Sequence, residues 1–176
     1  MQLHFRYTWC MDKKKARELV DARLGVLAEQ NHDHLSAKVY KNCEAFLNNV
    51  RLDGTMHSVL LFTARLQWRE TSLFELEKKY TELTFSYVPP QSSAPFPSEK
   101  YDLIFVPLYG FNDEGYRLGR GGGWYDKFLA TQPKAFKVGV GLELGRIDFQ
   151  VDPHDIPMDV IITEDRCEIL RKRTYR

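Results

Sequence analysis

Apolar residues recur along the first third of the chain with the spacing of amphipathic helices. They fall at three- and four-residue steps over 12–29, where Asp12 can cap the helix N-terminus, and again over 36–50. A turn-forming Asp-Gly pair at 53–54 follows the second segment. We therefore predict two helices, joined by a connection at 31–34.

Short apolar runs later in the chain predict buried strands. These runs are residues 59–63, 83–88, 103–106, 136–142 and 159–163. A third helix over 73–80, capped by Thr71 or Ser72, and a fourth after Gly123 would lie between strands. Strands separated by helices imply parallel β-α-β units. The predicted fold class is α/β, a three-layer domain with a mostly parallel sheet of about five or six strands flanked by helices.

Length and the two termini complete this picture. A chain of 176 residues is long enough for one well-packed core, so residues 1–176 are expected to form a single domain. Residues 1–11 show no clear period and stay unplaced. Residues 166–176 are rich in Lys and Arg, and a solvated terminal helix or tail explains such a segment more often than a functional patch does.

Charge and cysteine content narrow the class of partner and the compartment. The chain carries 25 Lys and Arg against 24 Asp and Glu, so a small-molecule partner is favoured over a nucleic acid. Its three cysteines are far apart and form no CxxC pair, which argues against a disulfide framework or zinc site. No apolar run approaches the ~20 residues that span a bilayer. We expect a cytoplasmic protein, a monomer, without a membrane partner.

The strongest chemical signal lies between Tyr101 and Leu129. A buried strand leads into a loop with four glycines in five residues, flanked by Arg117 and Arg120, and then into a possible helix. Glycines let several backbone N–H groups and a helix dipole approach one phosphate, and guanidinium forks match phosphate oxygens. No GK[ST] follows, so the loop is neither a P-loop nor a dinucleotide fingerprint. We predict a nucleotide triphosphate site, with a plain glycine-rich turn as the alternative.

Polar and aromatic residues near this loop each have a functional and a structural explanation. Asp126 could hold Mg²⁺ or satisfy the N-terminus of a helix, and Asp159 is a second candidate that more often would be a hydrogen-bonded structural residue. His154 is more typical of a residue that orders a loop than of a general base. Trp124 and Tyr125 could stack on a heterocycle or belong to the core.

Four cations crowd the first turns of the first predicted helix, namely Lys13, Lys14, Lys15 and Arg17. Cations at a helix N-terminus oppose the macrodipole by a few tenths of a kcal/mol each, roughly, unless an anion lies nearby. They indicate either an anion partner or ordinary solvated lysines.

Several motifs in order resemble the 5-formyltetrahydrofolate cyclo-ligase family, also called methenyltetrahydrofolate synthetases. The most specific is Gly-Tyr-Arg-Leu-Gly-Arg-Gly-Gly-Gly-Trp-Tyr-Asp-Lys at 115–127, preceded by Val106-Pro107 and Phe111. Gly-Val-Gly-Leu at 139–142, His-Asp-Ile-Pro-Met-Asp at 154–159 and Ile-Thr-Glu at 162–164 follow it. Upstream, Lys13 and Arg17 fit the family's K-x-x-x-R, and Glu70-Thr71 resembles its substrate segment.

The resemblance implies a single-domain α/β fold and an ATP- and Mg²⁺-dependent enzyme. It would convert 5-formyltetrahydrofolate to 5,10-methenyltetrahydrofolate, releasing ADP and phosphate through a phosphorylated formyl intermediate. The residues implied to bind ATP are Lys13, Arg17, Arg117, Leu118, Gly119, Arg120, Gly121, Gly122, Gly123, Trp124 and Tyr125. Those implied to be catalytic are Arg120, Gly122 and Tyr125; to bind folate, Arg17, Trp68, Glu70, Arg120 and Trp124; and to bind Mg²⁺, Asp126 and Asp159.

The chain departs from the family pattern mostly on the folate side. Asn112 replaces a usual Asp, Trp68 stands where the substrate segment begins with an acid, and the segment 141–147 lacks its usual Gln. The chain from there to His154 is also shorter than usual. Two other functions therefore stay open: a paralogue with the same ATP site acting on another small molecule, and a non-catalytic nucleotide- or folate-binding regulator.

Overall fold

The computed structural model describes residues 10–50, 56–65, 69–88 and 96–171. The Asp-Gly turn at 53–54, the predicted folate residue Trp68 and most of the unplaced N-terminus lie outside these ranges, as do 172–176. In chain order the elements are α1 (Lys13–Gly25), α2 (Glu29–Val50), β1 (Ser58–Phe62), α3 (Glu75–Lys79), β2 (Thr84–Val88), β3 (Leu103–Pro107), β4 (Gly110–Phe111), β5 (Arg117–Leu118), α4 (Trp124–Ala130), β6 (Phe136–Val140), β7 (Val160–Ile162) and β8 (Cys167–Ile169).

Helix α1 begins where the sequence predicts. The carboxylate of Asp12 accepts hydrogen bonds from the N–H groups of Lys14 and Lys15, which confirms it as the N-cap. The predicted connection at 31–34 is wrong, because α2 already begins at Glu29 and runs for 22 residues. His32 is buried in its first turns and its Nε2 lies 3.2 Å from the Ser36 hydroxyl one turn later, so these polar residues are accommodated within the helix.

Six strands form one sheet in the order β2-β1-β3-β6-β7-β8. The first five are paired in parallel, and β8 runs antiparallel to β7. The predicted α/β class and mostly parallel sheet are confirmed. Strand β8 corrects the expectation of a terminal helix or tail at this point, and its short, largely exposed sequence gives no apolar run by which to predict it.

Both faces of the sheet are buried, which is why its strands are continuously apolar. From β3, Leu103 and Phe105 join the core beneath α1, α2 and α3. The alternate residues Ile104 and Val106 pack with α4 on the opposite face. These two cores establish the predicted three layers.

The predicted cap of the third helix is wrong. Helix α3 is preceded by Phe74, and no side chain caps it. Thr71 is instead buried, and its hydroxyl donates to the Ser36 Oγ of α2 over 3.3 Å. The hydroxyl therefore joins the segment before α3 to the neighbouring helix.

A hairpin that the sequence does not predict carries the glycine-rich segment past the carboxyl end of the sheet. Strand β3 ends at Pro107, level with Val140 at the end of β6. Strands β4 and β5 then pair antiparallel, with Phe111 opposite Arg117. The turn between them is fastened by the Asn112 side chain, whose Oδ1 accepts from the N–H groups of Glu114 and Tyr116.

Two further expectations can be compared with the structure. The three cysteines, Cys10, Cys43 and Cys167, are free in the structure. Within the described ranges, none of the helices combines the length and apolarity that crossing a bilayer requires.

Candidate functional site

The loop 119–123 between β5 and α4 is open to solvent. A Cβ atom built on any of its four glycines would meet nothing within 4 Å in the described part of the chain, so packing against those residues does not explain the glycines. Gly121 and Gly123 have φ angles of 100° and 59°, which other residues rarely adopt. The backbone of this loop is therefore both accessible and shaped by glycine, as a phosphate-binding loop requires.

Arg17 connects helix α1 to this loop. Its Nε donates to the carbonyl oxygen of Gly119 over 2.7 Å, across 102 residues of sequence. The backbone carbonyl of Arg17 in turn accepts from the Tyr109 hydroxyl over 2.9 Å. The structure thus brings two predicted ATP contacts, Arg17 and Gly119, into direct contact.

Arg117 forms an ion pair with Asp126 across the base of the loop. The Arg117 side chain is 6% exposed, and its guanidinium lies over the Tyr125 ring at 5.2 Å from the centroid. Its Nε is buried and has no hydrogen-bond partner among the residues that the structure describes. The other Asp126 oxygen accepts from the Ile156 N–H over 3.1 Å. A predicted ATP contact and a predicted metal ligand are therefore each other's partners here.

Arg120 projects from the loop onto an aromatic ring. Its guanidinium carbon lies 4.1 Å from the centroid of Tyr109, and its NH2 atom is 3.7 Å from Asp21 Oδ1. The side chain is 37% exposed, so it can reach a bound anion. Burial, followed by the nearby Asp21 carboxylate, raises the pKa of Tyr109, which keeps its hydroxyl protonated.

Lys13 lies at the start of α1 and contacts a different loop. Its Nζ is 2.6 Å from Asp152 Oδ2 and 2.7 Å from Asp155 Oδ2. Burial lowers the pKa of Lys13, but these two hydrogen bonds outweigh it and raise the pKa overall. His154 joins the two acids in a group of metal-ligating side chains whose ligand atoms lie within 4.8 Å of one another. The Lys13 ammonium already supplies a cation to both carboxylates.

Glu70 lies close enough to the loop for the charge of Arg120 to act on its carboxyl group. Its Oε2 accepts from the Arg65 N–H over 2.7 Å. Burial raises the pKa of Glu70, against that hydrogen bond and the positive charges of Arg65 and Arg120. Burial and the charge of Glu70 together raise the pKa of Tyr125, so its hydroxyl stays a proton donor. The predicted folate residue Glu70 is thus grouped with Arg120 and Tyr125.

Trp124, the first residue of α4, belongs to an aromatic cluster. Its ring packs on Phe128, Tyr125 and Phe96 at centroid distances of 5.2, 5.1 and 5.4 Å. The indole N–H is buried and has no hydrogen-bond partner within the described part of the chain. These contacts give the ring a core role, one of the two explanations open from the sequence. Leu118 is 1% exposed and offers a ligand its backbone alone.

Asp159 is 0% exposed and lies at the start of β7. Its Oδ2 accepts from the Lys137 N–H over 2.9 Å, and its carbonyl accepts from Leu170 and Arg171. In this structure Asp159 therefore links β7 to β6 and to the residues that follow β8. Its predicted metal role stays a prediction.

Arg146 is a residue whose importance the sequence gives no signal for. Its guanidinium contacts Asp113, Glu143 and Glu168 and lies 4.8 Å from the Phe111 centroid. It occupies the segment 141–147 that lacks the family's Gln. The sequence likewise does not indicate Tyr109 and Asp21. Both contact Arg120 in the fold but lie outside the 115–127 motif in sequence.

The mostly parallel sheet and the basic glycine loop beyond its carboxyl edge define an α/β protein with a candidate anion-binding site. The model of the 5-formyltetrahydrofolate cyclo-ligase family matches residues 15–164. A Mycoplasma genitalium 5-formyltetrahydrofolate cyclo-ligase is 25% identical over 86% of this chain and 98% of its own length. The Mycoplasma pneumoniae enzyme of that name is 37% identical over 43% of this chain, and that alignment spans 46% of the relative.

Two solved structures have the same fold. A 5,10-methenyltetrahydrofolate synthetase from Mycoplasma pneumoniae superposes with a TM-score of 0.72 and 27% identity, covering 88% of this chain and 99% of its own. One of the same name from Aquifex aeolicus gives a TM-score of 0.67 at 24% identity, covering 93% and 95%, which shows the fold alone. The chain belongs to the 5-formyltetrahydrofolate cyclo-ligase family.

Proposed function

We propose that this protein is a 5-formyltetrahydrofolate cyclo-ligase that uses ATP and Mg²⁺ to form 5,10-methenyltetrahydrofolate. The single observation that carries the proposal is the Arg17–Gly119 hydrogen bond, because it joins the basic start of α1 to the open glycine loop. Family membership supplies the reaction class. Both ligands, ATP and a reduced folate, are small molecules, and we propose that the enzyme acts as a monomer.

The proposed chemistry proceeds in two displacements. The formyl oxygen attacks the γ-phosphorus and the bond to the bridging oxygen breaks, which releases ADP. The folate N10 then attacks the formyl carbon and loses its proton to solvent, and the phosphorylated oxygen leaves as phosphate to give the methenyl cation. Positioning the reactants and neutralising charge contribute most of the catalysis in such phosphoryl transfers.

The roles of the loop residues follow from their exposure and charge. Arg120 is exposed on the loop and would neutralise charge at the transferred group. The N–H of Gly122, on an open backbone, would donate to a phosphate oxygen. The neutral Tyr125 hydroxyl would donate a further hydrogen bond. The triphosphate would be bound by Arg17, Arg117 and the remaining loop backbone. Lys13 would also bind it after leaving Asp152 and Asp155.

Mg²⁺ would supply positive charge to the β- and γ-phosphates. Asp126 lies in the first turn of α4, just after the loop, and is 15% exposed, so it fits as a single protein ligand, as is common for Mg²⁺. Arg117 would then leave Asp126 and bind a phosphate instead. Asp159 is wholly buried, so it fits less well.

The folate would lie beside the loop, where Glu70, Arg120 and Tyr125 influence one another's charge. Glu70 can accept hydrogen bonds from the amino and ring N–H groups of a pterin. Arg17, Trp68 and Trp124 are the further residues proposed for this pocket.

One assay tests the proposal against its two rivals. The protein is incubated with ATP, Mg²⁺ and 5-formyltetrahydrofolate, and the near-ultraviolet absorbance of the methenyl product is followed. Product formation with equimolar ADP supports the proposal. ATP hydrolysis that needs a different substrate would favour the paralogue, for which the Arg146 cluster in the folate segment is the specific observation. Nucleotide binding without turnover would favour the regulator.

A further inference from the structure

Tyr109 and Arg120 form a stacked pair that the family motifs do not assign. The Arg120 guanidinium lies over the Tyr109 ring at 4.1 Å, well inside the range of a cation–π contact. Tyr109 lies between β3 and β4, and Arg120 lies in the glycine loop after β5. The contact therefore crosses the hairpin from one side to the other.

Both loop neighbours of Arg120, Gly119 and Gly121, have no side chain, and a Cβ at either position would meet no atom of the described residues within 4 Å. Arg is a long side chain with much rotamer freedom to lose when it binds a phosphate. A rigid aromatic surface beneath the guanidinium reduces that loss, because the side chain is ordered before the ligand arrives.

The Tyr109 ring is itself fixed from two sides. Its body packs against the main hydrophobic core, and its hydroxyl donates to the Arg17 carbonyl over 2.9 Å. Arg17 donates to Gly119, the residue before Arg120. The Tyr109 side chain therefore contacts both Arg17 and Arg120.

We propose that Tyr109 is a positioning residue that holds the Arg120 guanidinium over the loop before the triphosphate binds. This rests on the proposed function for its catalytic consequence, whereas the stacked contact belongs to the free protein. Asp21 assists at the rim, where its carboxylate is 3.7 Å from Arg120 and 61% exposed, an ion pair of small effect.

The first test needs no ligand. Phenylglyoxal modifies accessible arginines, and its rate at Arg120 can be followed by peptide mass spectrometry in the folded full-length chain. We expect Tyr109→Leu to raise that rate about two- to five-fold, the range of an exposed cation–π contact. Tyr109→Phe keeps the ring and loses only the hydroxyl bond to Arg17, so it should raise the rate by less. Tyr87→Leu, at a half-buried tyrosine on β2, is the matched control. An equal rate in Tyr109→Leu and wild type would overturn the proposal.

The second test is a double-mutant cycle between Tyr109→Leu and Arg120→Ala. In wild-type background Tyr109→Leu should lower kcat several-fold, with Tyr109→Phe largely restoring it. In the Arg120→Ala background it should have little further effect. Additive losses would mean that Tyr109 acts without Arg120, which overturns the proposal. If wild type has no turnover, the proposed function fails, and the modification rates still decide whether Tyr109 holds Arg120.

Discussion

The Nε of Arg17 donates a hydrogen bond to the carbonyl oxygen of Gly119 over 2.7 Å. The guanidinium has five N–H donors in a planar fork, so this bond orients the others relative to the loop. A lysine cannot both bond the loop and present a second donor in the same plane. The pair therefore explains why an arginine, rather than any cation, suits this turn of α1.

We expect Arg17→Lys to raise the KM for ATP about tenfold, the equivalent of one charge-assisted hydrogen bond of about 1.4 kcal/mol. The melting temperature should change little, since the lysine stem still covers the same surface. Steady-state kinetics at saturating folate measure the effect. Arg23→Lys, on the same helix but bonded to the 144 and 146 carbonyls, is the control. Equal changes in both variants would contradict a nucleotide role for Arg17.

Lys13 should contribute to stability through Asp155. The Asp155 side chain is almost wholly buried, so Lys13→Ala leaves its carboxylate without its cation. We expect a loss of about 1–3 kcal/mol in the free energy of unfolding, measured by urea denaturation. Lys15→Ala removes an exposed pair with Glu18 and should cost about 0.5 kcal/mol or less. Equal costs would show that the Lys13 contact is no stronger than a surface pair.

Asp126 should affect both metal dependence and stability. Asp126→Asn removes the charge partner of the buried Arg117, which should cost about 3 kcal/mol. It should also shift the Mg²⁺ titration of turnover to higher concentration, because a neutral amide is a weaker ligand. Asp113→Asn is the control: Asp113 is an exposed acid that pairs with Arg146, and its replacement should change the Mg²⁺ titration and the stability little. An unchanged Mg²⁺ titration in Asp126→Asn would refute the metal role.

Asp102 should make stability depend on pH. Burial raises its pKa, but hydrogen bonds from the His57 and Ser58 N–H groups and the Ser58 hydroxyl outweigh this and lower the pKa overall. A folded-state pKa below the unfolded value of about 3.9 stabilises the protein above that pH. This stabilisation is lost as the pH falls through the folded-state pKa.

The expected cost of Asp102→Asn is therefore about 1–2 kcal/mol at pH 7 and clearly less at about pH 3. Urea denaturation at the two pH values measures it. The nearby exposed Glu99→Gln should have a small cost at both. A cost for Asp102→Asn that does not change with pH would contradict the assignment.

Much of the fold could be predicted from the sequence because a sheet buried on both faces leaves continuous apolar runs. Residues 103–106 and 160–162 are such runs, and each forms a strand. Strand β8 and the β4–β5 hairpin have no such signal, since they are short and their pairing depends on tertiary contacts. The first residues of α2 are polar, so their sequence resembles a connection. In the structure the His32 ring and the Ser36 hydroxyl are within hydrogen-bonding distance in the helix.

The candidate site was predictable where chemistry is local in sequence. The glycine loop and its two arginines stand together in the chain, and the fold brings Arg17 into contact with the loop at Gly119. Side-chain partners were not predictable, because Asp152 and Asp155 lie far from Lys13 in sequence, and Tyr109 meets Arg120 only once the hairpin folds. Pairing of Arg117 with Asp126 likewise requires the geometry of the turn into α4.

Arg120→Ala tests the central claim most directly, that the open basic loop acts on the transferred phosphate. We predict that kcat for methenyl product formation falls about 100-fold or more, as when a donor to a developing negative charge is lost. Its melting temperature should stay within about 2 °C of wild type, because the side chain is exposed and its ion pair with Asp21 lies at the surface, where such pairs contribute little. Wild-type turnover in Arg120→Ala, or a collapse of its thermal stability, would contradict the account.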